Sequence, residues 1–149
     1  MRAVVQRVTR SRVISDGVGT GEIGAGLNVL VGVGRDDDDR DIEWLVEKIA
    51  GLRVFSDGEG KMNLDVRQAG GSLLVVSQFT LYGDCRKGKR PSYDAAMPSD
   101  DARRVYEKFV ERCVLTGIPV VSGVFQADMS VMIENDGPVT LLLDSKKAF

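Results

Sequence analysis

Two stretches of this 149-residue chain place polar groups where the surrounding residues promise an apolar interior. The first is Ser77-Gln78-Phe79-Thr80, which follows the aliphatic run Leu73-Leu74-Val75-Val76. Two hydroxyls and an amide at the end of a buried strand need partners, since each unpaired buried polar group costs roughly 1–3 kcal/mol. The strand either emerges into solvent there or ends in a polar site. The second stretch is Asn135-Asp136-Gly137-Pro138, flanked by strand-like Val131-Met132-Ile133 and Val139-Thr140-Leu141. Proline has no N–H for a ladder and glycine no side chain to pack, so the pair marks a turn, a bulge or a site. Spacing alone favours a hairpin turn on Asp136-Gly137. The alternative is a rigid backbone device at Gly137-Pro138, with a cis peptide among its forms.

The chemistry open to such a site is narrowed by an absence: the chain has no histidine. Ser-His-Asp and Cys-His nucleophilic systems and histidine-ligated zinc are thereby excluded. Proton transfer would fall to a carboxylate, lysine, tyrosine, water or the substrate itself. Thr80 is a possible covalent nucleophile by position, but no neighbouring base activates it. Cys85 lies beside basic residues that could lower its pKa, yet nothing else supports a nucleophilic role. The acidic run at residues 36–39 reads as the charged entry to a helix rather than a metal site. No cofactor is expected. Gly19-x-Gly21-x-x-Gly24 matches a dinucleotide fingerprint by letter, but a strand pattern follows it instead of a helix, so it reads as turns.

The elements that must position these residues follow from periodicity. Residues 3–8 and 11–15 alternate as strands, Asp16-Gly17 supplies a turn, and residues 19–26 form a glycine-rich connection before a strand over 27–33. Ile42, Leu45, Val46 and Ile49 fall at helical spacing, and Gly51 ends that helix. Residues 52–55 form a short strand and 56–60 a turn. The run over 72–81 predicts the longest apolar strand, covered on both faces in its first half. Ser99 is expected to cap a second helix, with Asp100 and Asp101 in its first turn and a stripe from Ala102 through Tyr106, Phe109 and Cys113. Strands over 119–125, 129–134 and 139–144 complete the chain. This is an α+β inventory: a mixed, largely antiparallel sheet with a barrel-like core and two main helices, in a single domain over residues 1–149.

Composition fits that picture. Apolar residues make up 43% and charged residues 28%, and no apolar run approaches a membrane span. The first residues read as a strand rather than a signal peptide, and two cysteines make a poor disulfide framework, so a cytoplasmic setting is expected. A net charge of −2 argues against gripping long nucleic acid through many phosphates. The charge is uneven, however, with a basic knot at Arg86-Lys87-Gly88-Lys89-Arg90.

Three blocks together resemble the D-aminoacyl-tRNA deacylase family: Met1-Arg2-Ala3-Val4-Val5-Gln6-Arg7-Val8, then Val76-Ser77-Gln78-Phe79-Thr80-Leu81-Tyr82 with Lys87-Gly88-Lys89-Arg90-Pro91-Ser92, and Asn135-Asp136-Gly137-Pro138-Val139-Thr140. The likeness extends over nearly the whole chain. It departs at Gln126, where glycine is expected before Ala-Asp-Met, and at Gly83, where alanine is commoner. The resemblance implies a cytoplasmic homodimer that hydrolyses the ester between a D-amino acid and the 3′-terminal adenosine of tRNA. It implies that Gly137 and Pro138 form a cis pair entering the partner subunit's site, that Arg7 supports this loop, and that Met129 lines the pocket. Ser77, Gln78, Phe79 and Thr80 would shape the catalytic strand end, with backbone N–H groups near Phe79 and Thr80 as oxyanion donors and the ribose 2′-OH assisting the attacking water. A wall that rejects L side chains has nothing to reject in glycine, so glycyl-tRNA, including tRNA(Ala) mischarged with glycine, is expected to be cleaved as well. Two other classes compete: a non-catalytic RNA-binding module and a hydrolase of small esters or peptides. A purely structural dimer is the third.

Overall fold

The computed structural model describes the backbone of residues 1–149 and every side chain except those of residues 18–20. Strand β1 (Arg2–Ser15) is the spine. One of its edges pairs antiparallel first with β3 (Gly26–Gly32) and then with β2 (Val18–Ile23). Its other edge pairs along most of its length with β8 (Met129–Asp144). Beyond β3, β6 (Ser72–Ser77) and β7 (Val120–Ser122) continue the sheet in parallel. The sheet curls until β2 nears β7, where a side chain on Gly21 would collide with Val121. The result is a nearly closed, barrel-like mixed sheet. A small ribbon of β4 (Phe55–Ser56) and β5 (Met62–Leu64) stands apart.

Two apolar clusters explain why β6 is aliphatic without alternation. Leu74 and Val76 face the barrel interior with Val8, Val13 and Ile23. Leu73 and Val75 face helices α1 (Asp39–Ala50) and α2 (Ser99–Leu115), meeting Leu45, Ile49, Phe109 and Cys113. Both faces are covered, as the run predicts. Asp38 caps α1 by accepting from Arg40 N at 2.8 Å, and Asp41 Oδ2 answers by accepting from Asp38 N at 2.8 Å, a reciprocal capping box. Two other aspartates of the run have separate partners: Asp37 takes the amino-terminal ammonium at 2.7 Å, and Asp39 takes Lys108.

Several expectations need correction. Asn135–Pro138 is no hairpin turn; the two expected strands around it are halves of β8, because both halves pair with β1. Likewise residues 3–8 and 11–15 belong to one strand. The strand expected over 72–81 stops at Ser77, and Phe79–Tyr82 forms a 3-10 turn. Part of the glycine-rich connection is β2, paired with the second half of β1. Ser99 is the first helical residue of α2 and makes no cap, since Pro98 occupies that position. The strands expected over 52–55 and 119–125 shrink to β4 and β7. No helix among the described residues is long and apolar enough to cross a membrane.

Candidate active site

The change from strand to turn after Ser77 has a local cause. Gln78 N donates to Val31 O at 2.7 Å, continuing the β3 pairing by one residue. The chain then tightens, with Leu81 N donating to Gln78 O at 3.3 Å and Gly83 N to Thr80 O at 2.9 Å. Phe79 and Thr80 open this 3-10 turn, so their N–H groups have no carbonyl within the turn to meet. The Gln78 amide donates to Thr80 Oγ1. Beneath the turn, Tyr82 is buried with its hydroxyl 3.3 Å from Asp37 Oδ2, and burial pushes its phenol pKa upward. Arg2 stacks 4.5 Å over the Tyr82 ring and donates to Leu81 O at 3.1 Å. Gly32 leaves room for the turn: a Cβ there would sit 2.9 Å from Gln78 O.

The turn stands beside a cavity of about 690 Å³ between the ends of β3 and β6, the start of α2 and the segment leading into β8. Ser77, Gln78, Phe79 and Met129 all line it. Phe79 is 58% exposed and meets Tyr93 edge-on, with ring centroids 5.0 Å apart. At the floor Tyr106 is fixed by its hydroxyl donating to Val75 O at 3.2 Å. Thr80 lies outside the lining, exposed, next to Phe79.

Arg7, Gly137 and Pro138 form a second group on the β1–β8 ladder. Gln6 faces Thr140 and Val8 faces Asn135, so residues 136–139 bulge opposite the single residue Arg7. The Gly137-Pro138 peptide is cis. Arg7, only 11% exposed in its side chain, clamps the bulge from below. Its Nε donates to Asp136 O at 3.2 Å and pairs with Asp136 Oδ2 at 3.1 Å, while Nη1 donates to Val54 O. Gly137 has φ 120° and a Cβ there would lie 2.9 Å from Arg7 Nη2, so both conformation and space require glycine. Gly137 and Pro138 are exposed, and neither lines the cavity of their own chain. The two sequence-predicted groups are thus each assembled, but apart.

In the basic loop, Asp84 pairs with Ser92 across the base and binds Arg86 through both carboxylate oxygens. That side-chain hydrogen bond holds the Asp84 carboxyl down at about 2. Lys87, Lys89 and Arg90 remain exposed. Cys85 is exposed and free, while Cys113 is a core thiol pushed up to about 12 by burial. Sequence reasoning missed Tyr93 and Phe125 as cavity residues; an aromatic following Pro91-Ser92 in an otherwise polar loop was the available signal for Tyr93.

Residues 4–144 match the model of the family described as D-Tyr-tRNA(Tyr) deacylase. The chain belongs to that family. Among its deacylase relatives, the D-aminoacyl-tRNA deacylase of Desulfitobacterium hafniense (strain DSM 10664 / DCB-2) is 58% identical over 149 residues, covering 100% of both chains. That of Geobacter sulfurreducens (strain ATCC 51573 / DSM 12127 / PCA) is 56% identical over 98% of this chain and 96% of its own. A solved structure of a c-Myc DNA Unwinding Element Binding Protein superposes with TM-score 0.91 at 41% identity, covering 97% of this chain and 98% of that one. A probable eukaryotic D-amino acid tRNA deacylase shares the fold, with TM-score 0.81 at 17% identity over 95% of this chain and 97% of that one.

Proposed function

We propose that this chain hydrolyses the ester joining a D-amino acid to the 3′-terminal adenosine of tRNA, releasing both, as a proofreading enzyme of translation. The observation that carries the reading is the 3-10 turn of residues 79–82, whose leading N–H groups find no carbonyl within the turn, beside a cavity whose volume suits an amino acid with part of a nucleoside. Water oxygen adds to the ester carbonyl carbon, and the carbonyl oxygen becomes an anion facing the N–H groups of Phe79 and Thr80. The C–O bond to the ribose 3′ oxygen then breaks, and that oxygen leaves with a proton. With no histidine in the chain, the ribose 2′-OH orients the water. Thr80 Oγ1 already accepts from the Gln78 amide and has no base beside it, which supports water over a covalent threonyl ester. No cofactor takes part in these steps.

A second copy of the chain supplies Gly137 and Pro138 to this cavity. Support comes from their exposure, their separation from their own chain's cavity, and the outer edge of β8, which pairs with no strand among the described residues. Main chain held by Arg7 forms a wall that cannot adjust by changing rotamer, so it selects the hand of the amino acid rather than its side chain. Glycine, including glycine mischarged on tRNA(Ala), passes that wall. Lys87, Lys89 and Arg90 reach acceptor-stem phosphates, and the enzyme works in the cytoplasm.

The test uses D-aminoacyl-adenosine esters with and without the 2′-OH, on wild type and Thr80→Ala. Near-normal turnover by Thr80→Ala and a large loss on the 2′-deoxy ester support the reading. Abolished turnover by Thr80→Ala with indifference to the 2′-OH would replace it with a threonyl nucleophile acting on simple esters. Mixing a Pro138→Ala chain with a Ser99→Trp chain, whose cavity is plugged, tests the shared site: a preference for the D over the L ester regained on subunit exchange supports it, and no regained preference contradicts it.

A further inference from the structure

Gln126 adopts a left-handed backbone conformation, φ 66°, which an L side chain rarely takes and which glycine takes freely. It stands in the segment between β7 and β8 that walls the cavity on the side of α2. The base of that segment is anchored: Gly123 N donates to Val75 O at 2.9 Å, and Asp16 N donates to Asp128 O at 3.1 Å. Between those anchors the segment bonds to itself, Ala127 N to Val124 O at 3.3 Å. Among the described residues, its hydrogen bond and ring contacts to α2 run through two side chains. Gln126 Oε1 accepts from Arg103 Nη2 at 2.8 Å. The same guanidinium lies 4.9 Å over the ring of Phe125, whose other neighbour is Tyr106, one helical turn further along α2, at 5.6 Å between ring centroids.

We infer that Gln126 is a positioning residue for substrate. Clasped to Arg103, it holds the cavity wall of residues 125–129 against the first turns of α2 and so fixes the width of the slot that receives the aminoacyl end. This rests on the proposal that the cavity beside Phe79 is the substrate site. The backbone conformation argues for such a role, since a residue serving only the turn would be better replaced by glycine. Here a side chain stands where glycine would sit more easily, and its amide reaches the helix. Arg103 is well suited to the clasp, as one guanidinium can cover a ring face and donate in its own plane at once.

The consequence is an opposition between stability and substrate fit. Gln126→Gly relaxes the backbone and frees the wall together. Its Tm is expected to equal or exceed that of wild type, while KM for a D-aminoacyl-tRNA rises roughly three- to tenfold with kcat within about twofold. Arg103→Ala should reproduce the KM effect. The Gln126→Gly/Arg103→Ala double variant should be no worse than the weaker-binding single one, because both remove the same clasp. Gln126→Glu, which still reaches Arg103, should bind substrate as well as wild type. An unchanged KM in Gln126→Gly, or single effects that multiply in the double variant, overturns the inference. Ser99→Trp separates the two levels: it plugs the same cavity from an exposed position. If it too leaves KM unchanged, the substrate does not enter this cavity, and the inference falls with that assignment.

Discussion

Removing the Arg7 side chain should cost the fold and the site together, and the size of the first effect follows from its contacts. Arg7→Ala deletes a hydrogen bond to Val54 O, one to Asp136 O at 3.2 Å and an ion pair to Asp136 Oδ2. Hydrogen bonds from a charged donor contribute roughly 1.5–3 kcal/mol each when shielded. The Asp136 side chain is 48% exposed, so screening leaves its ion pair only about 0.5 kcal/mol. The lower end of that sum is about 3.5 kcal/mol, and relaxation of the loop leaves about 3 kcal/mol. For a chain of this length, that is a fall in Tm of about 6–12 °C. Urea unfolding read by linear extrapolation measures the first quantity directly. Deacylation of D-aminoacyl-tRNA, assayed well below the lowered Tm, measures the second. Because Arg7 touches no cavity residue, its effect on kcat/KM must pass through Gly137 and Pro138, and the preference for the D hand should erode alongside the rate. Arg7→Lys, with a point charge in place of a fork, should fall between the two. A variant that melts within about 2 °C of wild type and keeps both rate and chirality would refute the idea that this side chain holds the bulge.

Acid should loosen the start of α1. Burial alone would push the Asp41 carboxyl up, but hydrogen bonds from Lys146, Ser145 and the Asp38 backbone, aided by the amino-terminal ammonium, hold it at about 2. A carboxyl depressed in the folded state stabilises fully above its ordinary range and loses that contribution as pH falls from about 4 toward 2. Lys146 is half exposed, so the contribution is about 1–2 kcal/mol; Asp41→Asn should flatten the stability profile in that window. Gly32→Ala, whose Cβ would press on Gln78 O at 2.9 Å and on Tyr82 Cδ2 at 3.3 Å, should cost about 1–3 kcal/mol and reduce turnover by shifting the 3-10 turn. A Gly32→Ala enzyme of full activity would show that the turn's placement is not critical. Replacing Lys87, Lys89 and Arg90 by alanine should weaken full-length tRNA binding and flatten its salt dependence, leaving a short aminoacyl-adenosine unaffected; equal losses on both would place the loop at the site instead.

Much of this molecule was legible in its residues, and the failures share a cause. Helix α1 declared itself through Ile42, Leu45, Val46 and Ile49 and the aspartates before them, because local spacing and capping both act within one element. Strand β6 announced burial on both faces through Leu73–Val76 for the same reason. At residues 136–139 spacing alone favours a hairpin because the Asp-Gly signal is local, whereas the resemblance implies the cis pair that the structure has; the partner that makes a bulge of it is Arg7, far away in the chain. The 3-10 turn at Phe79 was hidden similarly: what ends the strand is Val31 O accepting from Gln78 N and room left by Gly32, neither of which a linear pattern displays. Gln126 stood out as a departure from a family pattern, but only its φ and its contact with Arg103 give that departure a meaning.

Matched D- and L-aminoacyl-tRNA, carrying the same amino acid and incubated with the protein at one enzyme concentration, offer the most direct trial. The D ester should disappear and free D-amino acid accumulate, the L ester should persist for the same period, and a glycyl ester should be lost with the D form. Loss of both hands at similar rates, or survival of the glycyl ester while the D ester is cleared, would contradict selection by a main-chain wall.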